Sequence, residues 1–223
     1  MKENNSSSLG EVFNSFDLDF ALRDSVYSGV GLVKGIINPE FLEILNLEVA
    51  AGPYSQASAG NELVSQKFDS FAFMYEPVGM PLLRKFQQAT EQLIRSHSNL
   101  FKPLADWRAI DTVIQRYGAD GFLSAHRDLV RNPYIVPSFT IAGSCQFDIL
   151  ESREGPFRKT IFPEAGDLLL LLAPGLVENP SIADRPFHQL TGPLDPNIAR
   201  VAVTFRHNLN PEKPIEGFKY VNS

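Results

Sequence analysis

Four histidines and a single cysteine bound the ligand chemistry open to this chain. Cys145 by itself can form no intrachain disulfide, no Cys-based zinc site and no Fe–S cluster. His97, beside Arg95 and Ser96 at the end of a helical stretch, sits where a helix dipole favours it, and His207 trails the last strand. Both read as structural. His126 differs, because Asp128 follows it by two positions. In an extended chain, side chains at i and i+2 share a face, so an imidazole and a carboxylate project together. Taken alone, H-x-D is more simply a turn with a hydrogen-bonded His–Asp pair. His188, in Arg185-Pro186-Phe187-His188, can add a third ligand from a different strand. Two histidines and one carboxylate with open positions form the ligand set expected for non-haem iron(II).

A second cluster lies in Arg200-Val201-Ala202-Val203-Thr204-Phe205-Arg206. Strand alternation puts Arg200, Ala202, Thr204 and Arg206 on one face and Val201, Val203 and Phe205 on the other. The apolar face belongs in a core. Two arginines on the opposite, inward face are costly to bury unless they meet anions. A dicarboxylate suits them, since each carboxylate fits a guanidinium fork. The plainer alternative is a polar edge strand facing water.

These residues need a scaffold. Asn38-Pro39 pairs a capping side chain with proline in the first turn and predicts a helix running through Ala50, ended by Gly52-Pro53. Leu82, Leu83, Phe86, Ala89, Leu93 and Ile94 form one stripe of a longer helix over Pro81 to His97, with Arg84, Lys85, Gln88, Glu91 and Arg95 facing water. Between the two, Ala51 to Ser70 reads as an exposed loop able to serve as a substrate lid. Phe71, Phe73 and Tyr75 alternate as a strand whose aromatic stripe is more simply core. A further strand is expected within Ser28 to Ile37. From Asp106 the chain becomes a series of short β-rich runs: Trp107 to Tyr117, Val136 to Leu150, Pro156 to Phe162, Asp167 to Ala173 and Ile198 to His207. The expected fold class is α+β with a mainly β core: a double-stranded β-helix (jelly-roll, cupin-like) barrel braced by N-terminal helices. Residues 1–25 read as a flexible arm with a short helix near Phe13 to Leu22, and 26–223 as one domain with its catalytic core at about 106–208.

The chain has 223 residues, 43% of them hydrophobic, which is ample for a buried core. Its formal charge of −6 and lack of a Lys/Arg run lower the expectation of a polyanionic partner. Met1 to Ser8 has no apolar h-region, and Leu168 to Ala173 is too short to span a bilayer. The expectation is a cytoplasmic protein with no membrane partner.

In this order, His126-x-Asp128, His188 and the Arg200…Arg206 strand resemble the iron(II)/2-oxoglutarate dioxygenases, specifically their AlkB-like branch. The resemblance covers residues 106–208 and includes Tyr117, nine residues before His126, with Gln115 where that branch carries Asn. It implies His126, Asp128 and His188 as metal ligands and catalytic residues, with Fe(II), 2-oxoglutarate and O2 as cofactor and co-substrates. It further implies that Arg200, with Tyr117, holds the distal carboxylate of 2-oxoglutarate, that Arg206 lies near its C1 end, and that Thr204 lines the pocket. Related halogenases lack a carboxylate at the position of Asp128, so hydroxylation or demethylation is implied. Ala202 replaces an expected Asn, and no acidic residue follows Asp128 to meet a cationic methylated base. The substrate expected is therefore a small molecule, an amino acid or biosynthetic intermediate. The alternatives are an AlkB-type demethylase of nucleic acid and a cupin-like barrel that binds a metabolite without turnover.

Overall fold

The computed structural model describes residues 6–57, 60, 63–178, 185–213 and 218–221. In chain order the first half contains α1 (Ser6–Val12), α2 (Leu18–Ser28), β1 (Val30–Val33), α3 (Pro39–Ala50), β2 (Ser55–Gln56), β3 (Gln66–Lys67), β4 (Asp69–Met74) and α4 (Pro81–Ser96). After a 3-10 turn (Lys102–Asp106) come β5 (Asp111–Tyr117), β6 (Phe122–His126), β7 (Ile135–Ala142), β8 (Cys145–Leu150) and β9 (Phe157–Ile161). β10 (Leu168–Leu172), β11 (Phe187–Pro193) and β12 (Arg200–Arg206) complete the set.

The strands form two antiparallel sheets, as the jelly-roll expectation required. The larger has the order β1-β10-β7-β12-β5-β4-β2 and the smaller β3-β6-β11-β8-β9. Burial on both faces of the larger sheet explains the five-leucine run of β10. Leu168, Leu170 and Leu172 join the helix-side core, whereas Leu169 and Leu171 face the space between the sheets. Val201, Val203 and Phe205 go to the helix side, as their alternation predicts. Phe71 and Phe73 do the same, so that stripe is core, while Tyr75 lies beyond the strand and is exposed.

Capping decides where the helices begin. Asn38 Oδ1 accepts from the backbone N–H of Glu40 at 2.9 Å and of Phe41 at 3.4 Å, and Pro39 occupies the first turn of α3. α4 has no such local cap. Instead Glu48 of α3 accepts from Leu82 N at 3.0 Å and Leu83 N at 2.8 Å, a carboxylate at the positive end of the next helix. Glu91, expected in water, accepts from Ala109 N at 2.8 Å.

Several stretches depart from the sequence expectation, among them Ala51 to Ser70, expected as a loop, which contributes β2, β3 and the start of β4 to the two sheets. The N-terminal arm is packed from α1 onward: Val12, Phe13, Leu18, Ala21 and Leu22 are buried in the helix-side core, with Phe13 stacked on Phe139 at 5.9 Å. Apolar burial of this size holds the segment to the sheet. At Gly31 a Cβ would meet the Ala21 carbonyl oxygen at 1.9 Å, so only glycine admits α2 this close to β1. Residues 1–5 lie outside the described residues. The run Val136 to Leu150 is two strands, β7 in one sheet and β8 in the other. The chain changes sheet at Gly143, whose φ of +66° suits glycine.

Candidate metal centre

The smaller sheet carries the histidines. His126 ends β6 and His188 lies near the start of β11, and the antiparallel register sets them directly opposite each other. Their ring centroids are 4.2 Å apart, and Phe147 of β8 stacks on the other side of His188 at 5.5 Å and 16°. Asp128, two residues past His126, returns to the same side. One ligand atom from each of His126, Asp128 and His188 lies within 4.8 Å of the other two. Among the described residues this is the one such cluster of His, Cys, Asp and Glu.

Hydrogen bonding leaves the ligand nitrogens available. His126 Nδ1 lies 2.9 Å from the Ser124 carbonyl oxygen, and His188 Nδ1 lies 3.1 Å from that of Pro186. Each carbonyl requires an Nδ1–H, so both Nε2 atoms carry the lone pair that binds a metal. Burial, and then the neighbouring His188, push His126 down to about 3; burial likewise lowers His188. Both rings are therefore neutral near pH 7. Burial raises the Asp128 carboxyl, but Arg206 and the two histidines outweigh it and hold the group below its ordinary value. Two neutral imidazoles and one ionised carboxylate fit a divalent cation.

The larger sheet supplies the opposite wall. Arg200, Thr204 and Arg206 line the cavity that holds the triad, together with Gln115 and Tyr117. Arg200 pairs across the ladder with Tyr117, and its guanidinium stands 5.4 Å from that ring. Arg200 is only 2% exposed, and its Nε has no hydrogen-bond partner among the described residues. Arg206 Nε lies 3.5 Å from Asp128 Oδ1, an ion-pair distance too long for a good hydrogen bond; its Nη1 is also buried without a partner. Buried guanidinium donors left open beside the triad are the complement of a carboxylate-bearing molecule. Thr204 Oγ1 is 2.9 Å from Ser138 Oγ. Every residue expected at the site thus borders one cavity, closed further by Leu123, Val136, Leu171 and Leu190.

Two other neighbours were not singled out from the sequence. Asp111 lies opposite Arg206 on β5, is fully buried, and accepts from Asn208 Nδ2 at 2.8 Å; burial raises its carboxyl. Arg185 Nε donates to the Asp128 carbonyl at 2.7 Å. Ser138 and Phe147 were open to discovery by the two-residue period of their strands. His97 and His207 take scaffold bonds: His97 Nδ1 lies 2.9 Å from the Leu93 carbonyl oxygen, and His207 Nδ1 accepts from Arg108 N at 2.9 Å. A broader cleft of about 630 Å³, lined by Lys85, Gln88, Glu91, Arg95 and Ala105, lies on the outside of α4 and shares no residue with the triad cavity.

Comparison with solved structures gives this arrangement its relatives. OsALKBH1 is 15% identical, with 80% of this chain and 98% of that one covered and a TM-score of 0.56. A prolyl-4-hydroxylase from Pseudomonas putida is 12% identical, with 86% and 98% covered and a TM-score of 0.60. The chain has the fold of the 2-oxoglutarate/iron(II) oxygenases. A Burkholderia pseudomallei oxidoreductase of the 2OG-Fe(II) oxygenase family is also similar, at 13% identity over 88% of this chain and 94% of that one, with a TM-score of 0.57. No family model matches the sequence, and no curated protein does. At these identities the likeness is one of fold, and here that fold carries a His-Asp-His cluster between its two sheets. No helix among the described residues is long and apolar enough to cross a membrane.

Proposed function

We propose that this chain is an iron(II)- and 2-oxoglutarate-dependent dioxygenase that hydroxylates a small-molecule substrate, an amino acid or biosynthetic intermediate. The observation that carries the reading is the facing of two walls. His126, Asp128 and His188 converge on one, and the buried, unpartnered donors of Arg200 and Arg206 stand on the other.

In this reading His126 Nε2, His188 Nε2 and Asp128 hold the metal. Arg200 takes the distal carboxylate of the co-substrate with Tyr117 beside it, and Arg206 steadies both Asp128 and the other carboxylate end. Thr204 and Gln115 complete the polar lining, while Val136, Phe147, Leu171 and Leu190 exclude water around the reacting groups. Iron with 2-oxoglutarate and dioxygen supplies the oxidising power: one oxygen atom enters a substrate C–H bond, the other enters succinate, and CO2 is released.

A small substrate is supported by the formal charge of −6 and the absence of a Lys/Arg run. Arg153 and Arg185 donate inward to backbone carbonyls, and Arg127 lies 4.1 Å over the Phe187 ring. These partners are neutral and leave the three charges in place, so the reading rests on the overall acidic balance, which supplies no long phosphate-neutralising stripe. The test is a screen with iron(II) and 2-oxoglutarate that compares amino acids and other metabolites with methylated oligonucleotides, following succinate and product mass. Turnover of a metabolite is expected. Demethylation of an oligonucleotide with no metabolite consumed would overturn the substrate class, and binding of both cofactors without succinate from any candidate would leave a metabolite-binding barrel.

A further inference from the structure

Behind the ligands, on the other face of the smaller sheet, three side chains form a stack. Arg127 sits between the ligands His126 and Asp128 in sequence, and Phe187 immediately precedes His188. By strand alternation both point away from the metal side. The Phe187 ring has the Arg127 guanidinium 4.1 Å from its centroid and that of Arg153 at 5.4 Å. Arg153 comes from the turn between β8 and β9. Its Nη1 donates to the carbonyl of Ala125, the residue before His126, at 2.7 Å, and also to the carbonyl of Leu63. One guanidinium therefore touches the strand of the first histidine, the strand of the second, and the segment leading into β3.

His188 is paired regularly with Ile149 of β8, but its link to His126 lies at the edge of a ladder. The His188–His126 pair is the last of the β6–β11 ladder, and the register shifts between His188 and Leu190. With no regular pair beyond it, an added tie is needed to fix the spacing. A planar fork can bond carbonyls in its own plane and stack on a ring through its face, which an ammonium cannot do. We infer that Arg153 is a positioning residue, which sets the separation of His126 and His188 and so the affinity and geometry of the metal site. The inference rests on the iron reading of the triad.

Cobalt(II) tests it, because its visible d–d bands report coordination geometry and its titration reports affinity. Apoprotein carrying Arg153→Met is expected to bind cobalt(II) about 10–100-fold more weakly than wild type, the usual cost of losing an outer-sphere support. Its d–d spectrum should change, and Arg153→Lys should recover only part of the loss. A purely architectural role would lower the melting temperature and leave both cobalt readouts alone. Wild-type affinity and spectrum in folded Arg153→Met overturn the inference. If that variant does not fold, Arg153→Lys and Phe187→Leu carry the test: weaker cobalt binding in both is expected, and wild-type binding in both overturns it. His188→Ala separates the two readings. Cobalt binding lost there but unchanged in Arg153→Met overturns the positioning role alone, whereas cobalt binding retained in His188→Ala overturns the iron reading and the positioning role with it.

Discussion

Replacing Arg200 with methionine should weaken 2-oxoglutarate binding strongly while leaving the empty protein as stable as before, or more so. Arg200 is 2% exposed and its Nε has no hydrogen-bond partner among the described residues. An unpaired buried guanidinium costs desolvation free energy, and an apolar side chain of similar volume removes that cost. Losing one partner of a buried ion pair typically costs about 3–5 kcal/mol. At about 1.4 kcal/mol per decade, the dissociation constant for 2-oxoglutarate should rise by roughly two to three and a half orders of magnitude. Thermal shift reads both effects. At a ligand concentration about 100-fold above its dissociation constant, the wild type gains about 2.7 kcal/mol. For a chain of this size that corresponds to roughly 5–11 °C. A variant binding 100-fold more weakly gains only about 0.4 kcal/mol at the same concentration, or roughly 1–2 °C. Measured without ligand, its melting temperature should equal or exceed that of wild type. An Arg200→Met protein that melts earlier when empty, yet shows the full 2-oxoglutarate shift, would refute this reasoning and make Arg200 a structural residue.

Removing one ligand, as in His188→Ala, should lower iron(II) affinity by at least tenfold in anaerobic titration; unchanged affinity would dissolve the triad. His126 is held at about 3, so acidification should hardly affect metal binding by the folded protein. At pH 5.5 two ordinary histidines would cost about a hundredfold in affinity, whereas cobalt titration here should change only a few-fold from pH 7.5. The same shift makes the empty protein acid-sensitive. Because the folded-state value is depressed, the unfolded chain binds more protons, so stability should decline as pH falls from about 6.5 towards 3; urea melts at pH 7 and pH 5 check the sign. Glu48→Ala removes the remote cap of α4 and should cost about 1 kcal/mol in urea unfolding, with no change in cofactor affinity.

Local geometry made part of this protein legible from its sequence. The spacing of His126 and Asp128, the alternation of β12 and the cap at Asn38 are set by the backbone within a few residues, where side-chain direction follows directly from strand or helix period. Those signals sufficed to single out the three side chains that converge, the inward arginines and the helical bracing. Contacts between distant segments leave no such periodic trace. Within Val136 to Leu150 only Gly143 breaks a strand-like run, and one glycine does not say that the two halves enter different sheets. The N-terminal helices read as an arm because their few apolar residues acquire a partner only when the larger sheet presents its outer face. Glu48 resembles any surface carboxylate until α4 aims its first amides at it. Arg153 likewise becomes meaningful only when folding brings Ala125, Leu63 and Phe187 around one guanidinium. Sequence therefore determined which groups could do the chemistry, and tertiary structure alone decided what holds them in place, because holding them depends on backbone carbonyls and ring faces that every sequence contains.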